Sequence, residues 1–171
     1  LATSAHAFSI WPSSVDGQAM PSLAPMLETT TPAVVSIAVQ GTHELKQNTP
    51  NIFRFFGNPN QNPNQAQQRP FRGLGSGVII DAKEGYIVTN NHVVEKADEI
   101  MITLKDGRQI KAKKIGSDAD SDIALLQIDA DNLTEMKIAD SDKLRVGDFA
   151  IAIGSPFGLG QTVTSGIVSA L

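Results

Sequence analysis

The stretch YIVTNNHVV, residues 86–94, decides the fold of this chain. Its first four residues are aromatic or β-branched, as in a strand that packs on a pleated surface, and the strand pattern breaks at two asparagines. His92 follows this break. Asp122 lies thirty residues later, directly before the apolar run IALLQI of residues 123–128, which predicts a strand buried on nearly both faces. His92 and Asp122 are therefore placed at the ends of two predicted strands.

The composition outside this stretch favours an all-β globular protein. The chain has 171 residues, of which 41% are hydrophobic and 19% charged, and Val and Ile crowd the segments from Val34 onward. The net charge is −4 and Lys and Arg are scattered singly, so nucleic acid is not an expected partner. Cysteine is absent, which excludes disulfides and thiolate metal sites.

The N-terminal segment has the pattern of an export signal followed by an arm. Residues 1–7 resemble the end of a signal peptide, with Ala5-His6-Ala7 as the small-x-small cleavage site, which predicts an exported protein; a cloning remnant or a frayed tail is the alternative. Residues 8–25 predict no regular element. A short helix is expected over Ser22–Glu28 with Ser22 as its N-cap, and Pro32 should end it.

A long polar insertion interrupts the first part of the strand pattern. Val34–Val39 predicts the first strand, and residues 41–72 are then rich in Asn, Gln and Pro, which predicts a long mobile loop. Such an insertion is normally functional or disordered. Its apolar rings, Phe53, Phe55 and Phe56, either dock elsewhere or fold back on their own domain.

The remaining pattern predicts further strands. Gly73–Ile80 is a strand whose glycines permit close backbone approach, and Ser76 within it is not centred in a G-x-S-x-G nucleophile motif. A β-hairpin is expected from residues 100–104 and 109–115 around a two-residue turn, Asp106-Gly107.

The C-terminal third is divided by a polar, turn-rich segment. Residues 129–148 predict no strand, and the crossover between two β-units is expected near residues 140–148. Strand character resumes at Phe149–Gly154 and again over residues 162–171. Because a strand there would leave an unpaired edge, we expect the chain to be the N-terminal piece of something larger.

A histidine paired with an aspartate suits nucleophilic catalysis by serine. The imidazole takes the hydroxyl proton and returns it to the leaving amine, while the carboxylate holds the imidazole tautomer. On spacing alone the pair His92 and Asp122 is a weak signal, because a single histidine at a strand end is more often a structural or surface residue.

Several motifs in one order give a stronger signal, because together they resemble the HtrA family of trypsin-like serine proteases. The resemblance covers the chain from Pro21 to its end and is carried by GSGVII (75–80), TNNHVV (89–94), SDIALL (121–126), ADSDKLRVGD (139–148), GSPFGLG (154–160) and TVTSGIVSAL (162–171). It implies a trypsin-like double β-barrel, here the first barrel and the first strands of the second. It also implies that His92 is the triad base and Asp122 the triad acid, and that His6 and His43 have no role. The implied chemistry needs no metal and no cofactor.

The same resemblance implies a division of the chain and a set of partners. The expected units are the signal remnant 1–7, an arm and helix 8–33, a first barrel 34–140 with residues 41–72 as its regulatory loop, and a crossover with truncated second-barrel strands 141–171. Unfolded or misfolded polypeptides are the implied substrates of a periplasmic, ATP-independent endopeptidase in protein quality control. A homotrimer or higher assembly is expected through Phe8, Trp11 and Met20.

The nucleophile is the missing part of the implied site. Family members carry it in a Gly-Asn-Ser-Gly-Gly motif, which does not occur here, so it is expected beyond Leu171 in the C-terminal remainder. This chain alone should then be inactive. Two alternatives stay open: a non-hydrolytic, chaperone-like binding module, and a self-cleaved fragment that stays paired with its C-terminal half.

Overall fold

Strands dominate the computed structural model, which describes residues 14–15, 18–19, 22–44, 68–155 and 160–171. The elements in chain order are β1 (Ser14–Val15), β2 (Gln18–Ala19), α1 (Ala24–Thr30), a 3-10 helix (Thr31–Ala33), β3 (Val34–Glu44), β4 (Gln68–Asp81), β5 (Tyr86–Asn90), α2 (Asn91–Val94), β6 (Glu99–Thr103), β7 (Gln109–Lys111), β8 (Lys113–Asp118), β9 (Ile123–Gln127), a 3-10 helix (Ser141–Lys143), β10 (Phe149–Gly154) and β11 (Thr162–Ile167). The predicted all-β class is confirmed. None of the helices in the described ranges is long and apolar enough to cross a membrane.

Strands β3 to β9 form one antiparallel sheet, which we call the barrel sheet, in the order β7-β6-β3-β4-β5-β9-β8. Its two edge strands, β7 and β8, are consecutive in the chain and separated only by Ala112. The backbone N–H of Ala112 donates to the carbonyl of Ile100 on β6 over 2.9 Å. Because one continuous segment forms both edges, the sheet has to curl until its edges meet, as in a β-barrel.

Alternate residues of the barrel sheet build the core. Its largest fully buried side chains include Ile37, Ile79, Ile87, Ile102 and Leu126, which come from five different strands. Period-2 alternation sends these residues to the inner face and their neighbours outward. The stretch of residues 86–94 therefore contributes Ile87 to the centre of the core.

The glycines of β4 permit the close approach that the sequence predicts. A Cβ added to Gly77 would lie 2.8 Å from Cγ2 of Ile87 and 2.9 Å from Cδ1 of Ile37. A Cβ on Gly75 would lie 2.7 Å from Cγ1 of Val93. Small residues are thus needed where the inner face of β4 meets β5 and α2.

Two predictions for the strands after α2 are wrong in detail. Ile123 on β9 is 49% exposed, because β9 is part of a curved wall and only alternate residues, beginning with Ala124, face the core. The hairpin turn is also longer than two residues. Gly107 donates its N–H to the carbonyl of Leu104 and has φ +90°, and Thr103 pairs with Gln109, which is the geometry of a turn followed by a glycine bulge.

The predicted return strand 109–115 is two strands, because Ala112 separates β7 from β8 at the barrel corner.

The polar loop is also shorter than predicted. β3 extends to Glu44 and β4 begins at Gln68, so residues 41–44 and 68–71 are paired. An antiparallel ladder can continue beyond the core because backbone hydrogen bonds do not depend on side-chain polarity. Residues 45–67, with the predicted docking phenylalanines, lie outside the described residues.

The N-terminal region departs from two predictions. Ser14 pairs with Ala19 and Val15 with Gln18, so a small ribbon forms where no element was expected; the Asp-Gly dipeptide between them in sequence is a common hairpin signal. The N-cap of α1 is Leu23, and Ser22 instead accepts a hydrogen bond on Oγ from the N–H of Ala24.

Helix α1 ends at Thr30, and Pro32 lies in the 3-10 helix that follows. The proposed signal remnant 1–7 and the assembly residues Phe8, Trp11 and Met20 lie outside the described residues.

β10 and β11 form a separate two-stranded sheet, which we call the C-terminal hairpin. Phe149 pairs with Ile167 and Gly154 with Thr162. The predicted strand 162–171 is too long, because β11 ends at Ile167. After β11, the N–H of Val168 donates one further hydrogen bond to the Asp148 carbonyl. The segment before β10 turns at Gly147, whose φ is +98°. The predicted units, which are the arm and helix 8–33, the first barrel 34–140 and the crossover with second-barrel strands 141–171, stay predictions.

Candidate active site

His92 is held at the rim of the barrel sheet by the transition from β5 to α2. Thr89 donates its hydroxyl to the Ser76 carbonyl on β4 over 2.8 Å, which fixes the end of β5. Val94 is buried in the core and anchors the other end of α2. Between these two anchors His92 keeps a side chain that is 70% exposed. The backbone of His92 is thus held in place while its ring stays accessible.

Asp122, the residue directly before β9, caps α2. The Asp122 carbonyl accepts from the N–H of Asn91 over 3.1 Å, and its Oδ1 accepts from the N–H of His92 over 2.9 Å. The first amides of a helix lack intrahelical partners, so this cap supplies acceptors that Asn90, the formal N-cap, does not provide through its own side chain. Asp122 has φ +54°, a left-handed conformation that aspartate tolerates better than most residues.

The two candidate side chains are in direct contact. Nδ1 of His92 lies 2.6 Å from Oδ2 of Asp122. Asn90 adds a hydrogen bond from Nδ2 to the same Oδ2 and another to the Asp122 carbonyl, each 3.2 Å long. The carboxylate therefore accepts from one main-chain amide and two side chains.

These donors hold Asp122 ionised. Its pKa is lowered from the ordinary value, chiefly because the main-chain N–H of His92 donates to the carboxylate, and next because the His92 ring does. An ionised Asp122 can only accept, so the neutral imidazole carries its proton on Nδ1 and presents a lone pair on Nε2. Within the described ranges no residue forms a hydrogen bond with Nε2. The arrangement can take a proton at Nε2 and stabilise the imidazolium that results.

The described serines have other partners or lie elsewhere. Ser76 accepts on Oγ from the N–H of Ser155, Ser155 donates to the Gly160 carbonyl, and Ser121 donates to Asp118. No described serine hydrogen-bonds His92. Two cavities, of about 340 and 330 Å³, flank the β6–β7 turn, and neither is lined by His92 or Asp122. Within the described part of the chain, no three His, Cys, Asp or Glu side chains form a group that could hold a metal ion.

The structure brings the two predicted residues together, but their catalytic role stays a prediction. His6 lies outside the described residues, and for His43 only the backbone, in β3, is described. Sequence reasoning missed Asn90 as a partner of the carboxylate. An asparagine before a short helix is a signal for an N-cap, but it does not reveal that the amide donates to Asp122, 32 residues later in the chain.

Comparison with known proteins gives consistent matches. The family model described as "Trypsin-like peptidase domain" matches residues 75–171. The chain is 59% identical to the periplasmic pH-dependent serine endoprotease DegQ of Escherichia coli (strain K12), over 100% of this chain and 38% of that protein. It is 54% identical to the periplasmic serine endoprotease DegP of Salmonella typhimurium, over 93% of this chain and 38% of that protein.

Solved structures agree with these matches. The HtrA-type protease AlgW with tripeptide superimposes with a TM-score of 0.68 at 39% identity, covering 88% of this chain and 40% of that chain. AlgW with decapeptide gives a TM-score of 0.66 at 39% identity, with 88% and 46% covered. The predicted trypsin-like double-barrel fold class is confirmed. The chain spans about two fifths of the length of the curated relatives that it matches.

Proposed function

Because the chain belongs to the trypsin-like peptidase domain family, and within it to the HtrA-type serine proteases, we propose that His92 and Asp122 are the general base and the orienting acid of a serine endopeptidase. The 2.6 Å contact between Nδ1 of His92 and Oδ2 of Asp122 carries this proposal. It is the contact that base catalysis through Nε2 requires.

The mechanism assigns one task to each group. Nε2 of His92 removes the proton of the serine hydroxyl as the oxygen attacks the peptide carbonyl, and it then gives this proton to the leaving amine. Water attacks the acyl-enzyme in the second half of the reaction, again with Nε2 as the base. Asp122 stays ionised throughout, and Asn90 with the amide of His92 keeps its carboxylate in place.

The nucleophile belongs, in this proposal, to the part of a longer protein that the chain does not include. The chain covers 38% of DegQ and carries no Gly-Asn-Ser-Gly-Gly motif. The C-terminal hairpin also exposes apolar side chains, with Phe149 and Ile167 each 60% exposed, which further second-barrel strands could cover. The chain alone would therefore not hydrolyse peptides.

The protein is periplasmic, as the names of its relatives state. We further propose that its substrates are unfolded or misfolded polypeptides and that hydrolysis needs no ATP. The structures of AlgW with a tripeptide and with a decapeptide support a polypeptide substrate. Assembly as a trimer through Phe8, Trp11 and Met20 stays part of the proposal.

A second candidate function is binding without hydrolysis. It is favoured by the observation that no described serine hydrogen-bonds His92. In this case the chain would be a chaperone-like module, or a self-cleaved fragment that stays paired with its C-terminal half.

Cleavage of one substrate in two states tests the proposal. The full-length protein and the 171-residue chain are each incubated, without ATP, with a globular protein kept either folded or permanently unfolded. We expect the full-length protein to cleave the unfolded form faster, and the 171-residue chain to cleave neither. If the full-length protein binds the unfolded form and cleaves neither, the binding module replaces the peptidase.

A further inference from the structure

We infer that Gln161 is a positioning residue that fixes the C-terminal hairpin on the barrel sheet by donating both of its amide hydrogens across the boundary between them. The inference rests on the proposed function, because it concerns how the two parts of the proposed active site are held in register.

Gln161, the residue before β11, bonds to the 3-10 helix and to the first residue of β3. Nε2 donates to the Thr31 carbonyl over 2.8 Å and to the Val34 carbonyl over 2.8 Å. Gln161 is half-buried, and both acceptor residues are buried. An acceptor that loses its donor in such surroundings keeps the cost of desolvation without compensation. Two bonds from one side chain therefore hold β11 at a defined position.

Thr31 extends this link to two further elements. Its hydroxyl donates to the Leu27 carbonyl in α1 over 2.6 Å, and Nζ of Lys105, in the β6–β7 turn, donates to the same hydroxyl. Helix α1, the β6–β7 turn and the start of β11 thus meet at one buried residue. Contacts with these elements hold Thr31 in place, so its carbonyl cannot readily follow a displacement of Gln161.

A second link lies at the other end of the β10–β11 connection. Ser155, directly after β10, is 2% exposed and donates its N–H to Oγ of Ser76 on β4 over 2.7 Å. A Cβ on Gly154 would lie 3.3 Å from the same Oγ, so the strand end is close to β4. The connection is therefore tied to the barrel sheet at both of its ends, by Ser155 and by Gln161.

The position of the C-terminal hairpin depends more on individual hydrogen bonds than that of the barrel strands does, because the hairpin has no core of its own. Every residue of β11 is exposed, and Phe149 on β10 is 60% exposed. If the serine nucleophile lies on the second barrel, these links set the distance between it and Nε2 of His92. Misplacement of reacting groups by about 1 Å can cost roughly 10²-fold in rate.

The test compares Gln161→Met with Gln127→Met in the full-length protein. Gln127 donates one amide hydrogen to the Glu84 carbonyl over 3.0 Å, and both residues belong to the barrel sheet or its β4–β5 turn, so it is a matched control that does not cross the boundary. We expect Gln161→Met to lower kcat about 10- to 100-fold with KM changed less than about twofold. Gln127→Met should leave kcat within about twofold.

Gln161→Lys supplies a rescue, because an ammonium group of similar reach can donate to both carbonyls. We expect it to recover most of the lost kcat. If Gln161→Met fails to fold, Gln161→Lys has to fold and cleave for the inference to stand. Unchanged kcat in Gln161→Met, an equal loss in Gln127→Met, or absence of rescue by Gln161→Lys would overturn it.

Hydrogen exchange separates failure of this inference from failure of the proposed function. In Gln161→Met the amides of β10 and β11 should exchange at least about tenfold faster than in the wild type, while the amides of β5 keep their rates. This result is expected even if the wild-type protein proves not to be a peptidase. Equal exchange of the hairpin in the wild type and Gln161→Met would contradict the inference whatever the protein hydrolyses.

Discussion

The barrel sheet and the C-terminal hairpin are both antiparallel and rich in Val and Ile, but they are stabilised in different ways. In the barrel sheet, alternate residues such as Ile37 and Ile87 are fully buried, and both edges meet at Ala112. In the hairpin, Phe149 and Ile167 face each other in register and remain 60% exposed. Strand pairing alone therefore does not create a core; a strand needs a second layer or a closed sheet to bury its apolar face.

The same comparison separates the two halves of the proposed active site. His92 and Asp122 lie at the rim of the barrel sheet, in α2 and directly before β9, where buried neighbours and backbone hydrogen bonds fix them. The hairpin depends on Ser155 and Gln161 for its position. We expect the base and its carboxylate to keep their geometry in the isolated chain, whereas the second half should depend on the rest of the protein.

The largest expected effect is on activity. In the full-length protein, His92→Ala should lower kcat by on the order of 10⁶-fold, because it removes the proposed base. Its free energy of unfolding should change little, since the ring is 70% exposed. Substrate cleavage and urea denaturation measure the two quantities. A variant that keeps kcat within about tenfold of the wild type would show that the barrel sheet does not supply the base.

The next effect is on stability and contrasts one residue from each region. In the 171-residue chain, Ile87→Ala should cost about 2–5 kcal/mol, because it opens a cavity in a closed core. Phe149→Ala should stay within about 0.5 kcal/mol, because that ring is mostly exposed. Urea denaturation of both variants decides the matter. Similar costs at the two positions would mean that the hairpin has a core after all.

Replacement of glycine by alanine should change the free energy of unfolding in opposite directions in the two regions. Gly77→Ala should cost about 1–3 kcal/mol, because the new Cβ would lie 2.8 Å from Ile87. Gly166→Ala on β11 meets no atom within 4 Å and should stabilise the chain by about 0.4–1 kcal/mol through the unfolded state. Thermal unfolding of the pair provides the measurement, and destabilisation by Gly166→Ala would break the comparison.

The smallest expected effects are changes in the pKa of two carboxyl groups, one from each region. The pKa of Asp122 is lowered chiefly by the main-chain N–H of His92, and the pKa of Asp148, next to β10, is lowered chiefly by the Arg145 side chain. His92→Ala keeps the main-chain donor, which is the larger cause for Asp122, whereas Arg145→Ala removes the side-chain donor, which is the larger cause for Asp148. The pKa of Asp148 should therefore return further towards its ordinary value than the pKa of Asp122. Carbon-detected NMR titration follows both groups, and a full return for Asp122 would contradict the assigned cause.

The direction of the pH effect on stability follows from these shifts. A carboxyl group whose pKa is lower in the folded state binds its proton more readily in the unfolded chain. Its contribution is present above the unfolded pKa of about 3.9 and is lost as the pH falls through the lower folded value. When Asp122 is replaced, the free energy of unfolding should therefore fall less steeply as the pH decreases below about 3.9.

Local patterns in the sequence predicted most of the barrel sheet. The aromatic and β-branched residues 86–89 located β5, the two asparagines after them located the turn to His92, and the apolar run after Asp122 located β9. The errors concern contacts that only the closed sheet creates. The exposure of Ile123 and the corner at Ala112 depend on how the strands curl, which no single stretch encodes.

The site was predicted from motifs, and its supporting contacts were not. The role of Asp122 as a cap for α2 and the turn of Asn90 towards it require knowledge of which strands are neighbours. The same is true of Gln161, whose partners lie more than 120 residues earlier in the chain. Periodicity reveals faces of strands, but it does not reveal which polar groups meet across a boundary.

Labelling with a serine-directed fluorophosphonate tests the central claim most directly. The reagent is applied to the full-length protein, to Asp122→Asn and to Asp118→Asn, and the modified chain is identified by intact mass. Asp118 is a matched control, because it is an exposed carboxylate close in sequence that bonds to Ser121 and not to His92. If His92 and Asp122 activate a serine, the wild type and Asp118→Asn label at equal rates and Asp122→Asn labels about 10⁴-fold more slowly. Equal labelling of all three proteins, or of none, would contradict the account.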